Sequence, residues 1–369
     1  MKGENFMNSI VTQAVRRIRE DMPSNPNINQ VKLIYTGGNT YQLFFTTKGC
    51  RYACTVCNYN AGKGHVLNEE VMCEELRVII ENFPGNARVL VLEAAGSFLD
   101  ESEISRKVRN EIMSKVAQIR TLDLVVIETH YTTVTKETLK EIAKIFEGSS
   151  ISVELEFGVE SVDTDVLEVY NKDINKEKLL EIIWEAEEHG IACELNFMLG
   201  APVLTTEEQI QDVLNSIEWV MQNCPEDTTC VLFPINIKRH SLLFDLWKSG
   251  QYEPISHWEF VEMLSRIPEE YLERILIAWW GNRFNVYDGP NAIIYPSSCD
   301  ECHDELQRFY EAFYTGDKEE KRELLKKMRK ATCRCKEEFF NRLKNERRDG
   351  RSIRKRWNSV VERIKEKKI

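Results

Sequence analysis

Strand-like and helix-like stretches alternate along this chain with a regularity that sets its architecture. Runs rich in β-branched and aromatic residues at 41–48, 88–94 (RVLVLEA), 123–128 (DLVVIE), 151–157 (ISVELEF), 191–198 (IACELNFM) and 229–235 (TCVLFPI) read as strands. Between them apolar positions recur at helical spacing near 68–83, 101–119, 135–146, 163–189 and 205–223, and a further helix is expected at 241–250. Six β/α units predict an α/β fold in which a parallel sheet, covered by helices, curves into a partial (β/α)6 TIM-like barrel. The expected layout is an N-terminal helical segment at 1–35, the barrel at 36–250, a small cysteine-containing helical C-terminal extension at 251–340, and a basic tail at 341–369.

Chemistry in such a barrel sits at the carboxyl ends of the strands. The second strand is followed by Gly96, which lets the backbone approach a ligand, and Ser97, a hydrogen-bond donor. The third ends in Glu128-Thr129-His130 and the fourth in Gly158-Val159-Glu160-Ser161, so that Glu128 and Glu160 are placed to accept from ribose hydroxyls or an ammonium. Asn196 closes the fifth strand and Asn236 the sixth, both suited to hydrogen-bond a substrate. Lys238, Arg239 and His240 then offer charge for an anionic or carbonyl-bearing one. No spacing names a general base, and His240 reads as a helix-start or surface residue.

Composition fits a sizeable enzyme: 369 residues, 42% hydrophobic and 30% charged, are enough for one large core. No apolar run is long enough to span a bilayer, and the N-terminus lacks an export signal, which points to a reducing, cytoplasmic setting and no membrane partner. Eleven cysteines in that setting argue for metal ligation and free thiols over disulfides. The net charge of −11 is uneven: residues 341–369 carry twelve Lys or Arg against four Asp or Glu, a net +8, leaving −19 on the rest. That tail is suited to phosphates, with Trp357 available to stack, although a solvated amphipathic terminal helix has the same composition and is the favoured reading. An acidic body would repel RNA elsewhere.

The sharpest signal is Cys50, Cys54 and Cys57 in TTKGCRYACTVCNY (46–59). Three thiolates satisfy three irons of a [4Fe–4S] cubane and leave the fourth open to a chelating molecule. A zinc site lacking its fourth ligand, or three core thiols, would share the spacing; the position after the strand-like run 41–47 favours the cluster. A second group, Cys299-x2-Cys302 with Cys333-x-Cys335 across a helical hairpin at 303–330, would close a tetrahedral zinc site or an auxiliary iron–sulfur cluster, with His303 able to swap in. Cys73, Cys193, Cys224 and Cys230 read as core residues.

The cluster loop resembles that of the radical S-adenosylmethionine (radical SAM) superfamily. Together TKGCRYACTVCNY, AGSFLD, IETHY, FGVES with a downstream YNK, LNFMLGAP, FPINIKRHSLLFDLWKSGQYEP and the terminal CxxC…CRC resemble, over roughly residues 30–340, the radical SAM subunits of archaeosine synthase and their Elp3-like relatives. The resemblance implies a [4Fe–4S] cluster on Cys50, Cys54 and Cys57 and SAM on its open iron. Reductive cleavage of SAM then yields a 5′-deoxyadenosyl radical that abstracts hydrogen from a substrate. It also implies SAM contacts from Gly96, Ser97, Glu128, Glu160 and Ser161, with Asn196 beside them. In that family the substrate is a lysine-modified deazaguanine in tRNA, a partner transferase installs the lysine, and C–N cleavage leaves archaeosine. A reductant such as flavodoxin or ferredoxin is implied as well. The chain departs from its relatives at Val56, where an aromatic is common, and at Pro254-Ile255, where they carry two prolines, so Tyr52 or Tyr59 is expected to stack on adenine. Trp279, Trp280 and Asn282 are candidates for the substrate side. A radical SAM enzyme acting on a small molecule or peptide would look similar, and a non-catalytic metal-containing RNA-binding module is the third reading.

Overall fold

The computed structural model describes residues 9–20, 29–47, 49–59, 68–278, 292–346 and 349–366. Six parallel strands stand where the apolar runs place them: β2 (Thr40–Phe45), β3 (Val89–Ala94), β4 (Leu124–Thr129), β5 (Ser152–Glu160), β6 (Ala192–Leu199) and β7 (Thr229–Pro234). Two further strands extend the sheet. β1 (Val31–Gly37) pairs antiparallel with β2, and β9 (Ile275–Ile277) pairs parallel with β7, giving eight strands in the order β1-β2-β3-β4-β5-β6-β7-β9. A separate two-stranded ribbon joins β8 (Ile237–Lys238) to β10 (Ala292–Ile294).

The alternation of side chains explains why the sheet buries both faces. Leu90 and Leu92, Val125 and Ile127, Leu155 and Phe157, and Leu195 and Phe197 are buried among the covering helices. The intervening residues, from Gln42 on β2 to Leu276 on β9, all line one cavity, which requires the sheet to curl into a half-barrel. Helices α2 (Glu69–Glu81), α3 (Arg106–Val116), α4 (Lys136–Phe146), α6 (Lys176–Glu188) and α7 (Thr206–Asn223) form the outer layer. Their starts are marked by side-chain caps, Asn68, Ser105, Thr135, Asn175 and a Thr205/Glu208 capping box.

Three expectations are corrected. Residues 31–35 of the N-terminal segment are strand, with only α1 (Ser9–Glu20) helical before them among the described residues. The helix expected at 163–189 is two, α5 (Thr164–Tyr170) and α6, because Asn171 adopts a left-handed conformation (φ 54°) and ends α5. The last parallel strand, β9, lies beyond residue 250, so the barrel sheet reaches into the region expected to be a helical extension.

Beyond β7 come α8 (Leu242–Lys248), α9 (His257–Ser265), the hairpin α10 (Asp300–Thr315) and α11 (Lys318–Lys330), then α12 (Arg334–Asn345) and α13 (Ile353–Lys365). α13 is no free basic tail. Trp357 is fully buried with Val360, Val361 and Ile364 in a core shared with α1 and α5, so it is unavailable for stacking on a base. Arg356 donates to both oxygens of Glu208 at 2.7 Å, and Arg354 pairs with Asp165 and Glu168 at 2.8 and 3.0 Å.

Candidate active site

The loop after β2 carries Cys50, Cys54 and Cys57, and the chain holds it from several sides. Gly49 takes a positive φ of 98° to start the turn, and Thr47 Oγ1 donates to Glu103 Oε2 at 2.6 Å. From α5, Tyr170 O accepts from Thr55 N at 2.9 Å and Val169 O from Thr55 Oγ1 at 2.7 Å, while Asn171 Nδ2 donates to Ala53 O at 2.8 Å. Leu243 N donates to Thr55 O at 3.0 Å, Asn58 Nδ2 to Arg239 O at 3.1 Å, and buried Arg19 of α1 to Tyr52 O at 2.5 Å.

The three half-buried cysteines all line the barrel cavity, about 440 Å³. Among the described residues, only the four distal cysteines bring a set of candidate ligand atoms within 4.8 Å of one another; this triplet is spread more widely, as separate corners of a polynuclear cluster require. Burial pushes Cys54 up to about 11 and Cys50 higher still, with the neighbouring thiols adding to the rise. As thiolates they therefore need a cation to neutralise them, which is what an iron cluster provides, so the donor set fits the group.

Around the cluster loop the expected residues divide. Gly96, Tyr52, Glu128, Glu160 and Asn196 line the cavity, as do Tyr59, Asn236 and Lys238. A Cβ on Gly96 would stand 2.1 Å from Glu103 Oε1, so a side chain there would have to displace that carboxylate. Ser97 and Ser161 do not line the cavity. Ser97 Oγ is engaged with Thr129 at 2.6 Å and Thr133 at 3.0 Å and accepts from His130 N, while Ser161 Oγ donates to Asp212 Oδ1 at 2.6 Å. Both brace strand ends. Arg239 and His240 are also outside the lining, and Trp279, Trp280 and Asn282 fall outside the described residues.

Glu160 sits at a register shift in β5 with φ 69°, an unfavourable conformation for a carboxylate residue that is held by an ion pair to Lys172 Nζ at 2.7 Å. Lys172 is raised above the usual lysine range by Glu160 and the nearby cysteines, against the opposing effect of burial. Tyr52 stacks on His130 (ring centroids 4.3 Å apart), and its hydroxyl lies 3.2 Å from His130 Nδ1 and 2.9 Å from Thr132 Oγ1. Burial pushes His130 well below its usual range, so the ring is neutral. Lys238 Nζ lies 4.7 Å from the Tyr59 ring centroid.

Deeper in the barrel lies a feature of which inspection of strand ends shows only Glu128. Glu128, Glu156 and Glu194 are aligned in register across β4, β5 and β6, and Glu93 of β3 lines the same cavity. Like carboxylates on adjacent strands repel one another. Burial first, then Glu93 and Glu156, raise Glu128 far above the carboxylate range; burial and Glu156 do the same to Glu194. Burial raises Glu156 too, opposed by Asn196 Nδ2, which donates to it at 2.7 Å; Asn196 Oδ1 is buried with no partner among the described residues. The signal was present as glutamates inside apolar runs: one each at Glu93, Glu128 and Glu194, and two, Glu154 and Glu156, in 151–157. Lys172 was likewise legible only as the last residue of YNK.

Residues 44–217 match the family model described as the Radical SAM superfamily. The chain is 24% identical over 286 residues to archaeosine synthase subunit beta of Methanosarcina acetivorans, covering 73% of this chain and 81% of that protein. Among solved structures it is similar to methylornithine synthase (15% identity, TM-score 0.48, covering 72% of this chain and 69% of that one). It is also similar to an N-terminally truncated Methanocaldococcus infernus Elp3 (14% identity, TM-score 0.42), where the match covers 66% of this chain and little more than half, 57%, of the other. The family match and the three-cysteine loop at the mouth of a half-barrel agree: residues 44–217 form a radical SAM domain, and the chain is a radical SAM enzyme that uses a [4Fe–4S] cluster and SAM.

Proposed function

We propose that this enzyme acts on a lysine-modified deazaguanine in tRNA, as the radical SAM component of an archaeosine-synthase-like modification. The observation that carries the reading is the carboxylate rung of Glu128, Glu156 and Glu194, on the inner face of the barrel whose mouth holds the three cysteines. A rung kept partly protonated by burial, with neighbouring carboxylates adding to the rise, is a ready receptor for ammonium groups, and a lysine-derived arm brings them. Of the anionic or carbonyl-bearing substrate expected from Lys238, Arg239 and His240, an anionic group is at odds with that interior.

Cys50, Cys54 and Cys57 would hold the cluster, which with SAM supplies a carbon-centred radical able to take a hydrogen atom. The chain's own residues orient and shield. Tyr52, fixed against His130 and Thr132, offers a ring to the adenine, while Glu128 and Glu160 offer acceptors to the ribose hydroxyls and the SAM ammonium. Gly96 lines the cavity beside them, and Asn196 Oδ1, without a partner among the described residues, can accept from a donor inside the cavity. Lys172 pairs with Glu160 at 2.7 Å beside the cysteine loop. Ser97 and Ser161 act as positioning residues. Since Trp357 is buried, tRNA would be met by exposed basic residues such as Lys355, with a transferase partner and an electron donor such as ferredoxin or flavodoxin supplying the lysine adduct and the electron.

The test is anaerobic incubation of the reconstituted enzyme with SAM and reductant, measuring 5′-deoxyadenosine. Tubes would contain tRNA bearing the lysine-modified deazaguanine, unmodified tRNA, or free lysine-adduct base. Stimulation by the modified tRNA alone supports the reading. Equal stimulation by the free base turns it toward a small-molecule enzyme, and no stimulation by either adduct defeats it.

A further inference from the structure

The distal cysteines form a site of a different kind. Cys299 precedes α10 and Cys302 lies within its first turn; Cys333 precedes α12 and Cys335 lies within its first turn. Sγ separations are 3.6 Å for Cys299–Cys302, 3.4 Å for Cys302–Cys335 and 3.5 Å for Cys333–Cys335, and all four sulfurs lie within 4.8 Å of one another. A single ion with metal–sulfur bonds of about 2.3 Å in a tetrahedron sets its thiolates about 3.8 Å apart. In a cubane each thiolate belongs to a different iron, which spreads the sulfurs by a further iron–iron spacing, and a two-iron cluster separates them into two distant pairs. Neither pattern is present: the Cys302–Cys335 contact between the two pairs is as short as the contacts within them.

The surroundings suit a closed, doubly negative S4 set. Cys299 N donates to Cys335 Sγ at 3.3 Å and Lys336 N to Cys333 Sγ at 3.4 Å, and two helix N-termini point their positive ends at the sulfurs. Lys336 Nζ donates to the carbonyls of Met328, Arg329 and Ala331, tying the end of α11 to the start of α12. His303, once an alternative ligand, instead places Nδ1 3.3 Å from Ser298 Oγ and is outside the set. Four protein ligands leave no open position, and with thiolate donors the affinity order favours Zn²⁺ over Fe²⁺.

We infer that Cys299, Cys302, Cys333 and Cys335 hold one zinc ion, and that this ion locks a helical cover over the edge of the half-barrel. The cover is the hairpin that the site joins at both ends. Buried Lys321 of α11 donates to Leu272 O at 3.2 Å and Ile275 O at 2.8 Å, fixing the hairpin to the start of β9, while Tyr310 of α10 lies 3.0 Å from His257 Nδ1 and Tyr314 reaches the barrel cavity. The ion takes no part in electron transfer.

The full chain, purified anaerobically, would be analysed for metals and by X-ray absorption at the zinc edge. The expected result is about one zinc per chain with four sulfur neighbours, beside about four iron. The Cys302→Ser variant should lose the zinc and keep the iron; the Cys50→Ala, Cys54→Ala, Cys57→Ala variant should do the reverse. Hydrogen exchange should show protection lost at 300–345 and 275–277 in the zinc-free Cys302→Ser variant relative to the parent protein, with β4–β6 unaffected. Iron in the distal site of the parent protein, whether one ion or about four in addition to the first cluster, would overturn the assignment, as would an absence of any metal there. Since the absorption measurement needs no variant, misfolding of Cys302→Ser cannot obscure the answer.

Discussion

The two cysteine sites use the same ligand for opposite ends. Near the N-terminus three thiolates stand on a loop pinned by α1, α5 and α8, face a cavity of about 440 Å³, and have charged neighbours in Arg19, Glu160 and Lys172. Near the C-terminus four thiolates close on one another between two helix starts, and none of them lines the cavity. What separates a reactive centre from a clamp is thus the missing ligand and the room beyond it. The first site spends structure to keep a position open. The second uses every ligand to hold helices together.

The largest effect that sharpens this contrast comes from removing ligands at each site in turn. Cys50→Ala, Cys54→Ala, Cys57→Ala should abolish iron binding and bring 5′-deoxyadenosine down to the enzyme-free control, while the thermal midpoint of the distal region is kept. Cys302→Ser should do the reverse: iron stays, and the midpoint falls by roughly 5–15 °C, as expected for the loss of several kcal/mol at about 2–4 °C per kcal/mol. Calorimetry with chromatography of the nucleoside reads both. Equal loss of activity with unchanged melting for the two variants would erase the distinction.

A smaller effect separates the sites by charge. Lys172 and Glu160 are both mostly buried and lie 2.7 Å apart, so Lys172→Met leaves a carboxylate without its partner in a strained position. Because both side chains retain contact with the cavity, the expected destabilisation is about 2 kcal/mol, below that of a dry pair. The Lys172→Met, Glu160→Gln double variant should recover much of it, since no charge is then left unpaired. Denaturant titration of the cluster-free protein tests this without the cofactor. A double variant no more stable than the single one would mean that the pair is not coupled.

How much of this was legible beforehand follows from what each residue type can signal. The parallel strands declared themselves because both their faces are buried, and both cysteine groups because thiols at short spacing are rare outside metal sites. β9 was hidden since Ile275–Ile277 is too short to show a period, and β1 because Val31–Gly37 alternates beside a helix-like segment. By sequence Trp357 is available to stack in a basic tail whose favoured reading is a solvated terminal helix; only the packing of α13 on α1 and α5 shows that it is core. Ser97 and Ser161 were correctly placed at strand ends, but sequence could not tell a hydroxyl aimed at a ligand from one bracing the next turn.

The carboxylate rung offers the smallest and most specific test, because it is a property of the open site that the closed one lacks. In the fold, burial first and then neighbouring carboxylates raise Glu128, Glu156 and Glu194 above their unfolded values. Below the unfolded carboxylate pKa, about 4.3, all three are protonated in both states and their contribution to stability is fully present. As pH rises through that value the unfolded chain ionises first and stability is lost progressively, until the folded groups also give up their protons. Glu156→Gln should therefore flatten the fall in thermal midpoint between pH 5 and 8. The same change should weaken a cationic substrate roughly tenfold in KM, about 1.4 kcal/mol, with little change in kcat, because the lost contact is a binding one. A parallel shift of the whole melting curve, with the slope intact, would mean that Glu156 is only a packing residue and that the barrel interior is not tuned for positive charge.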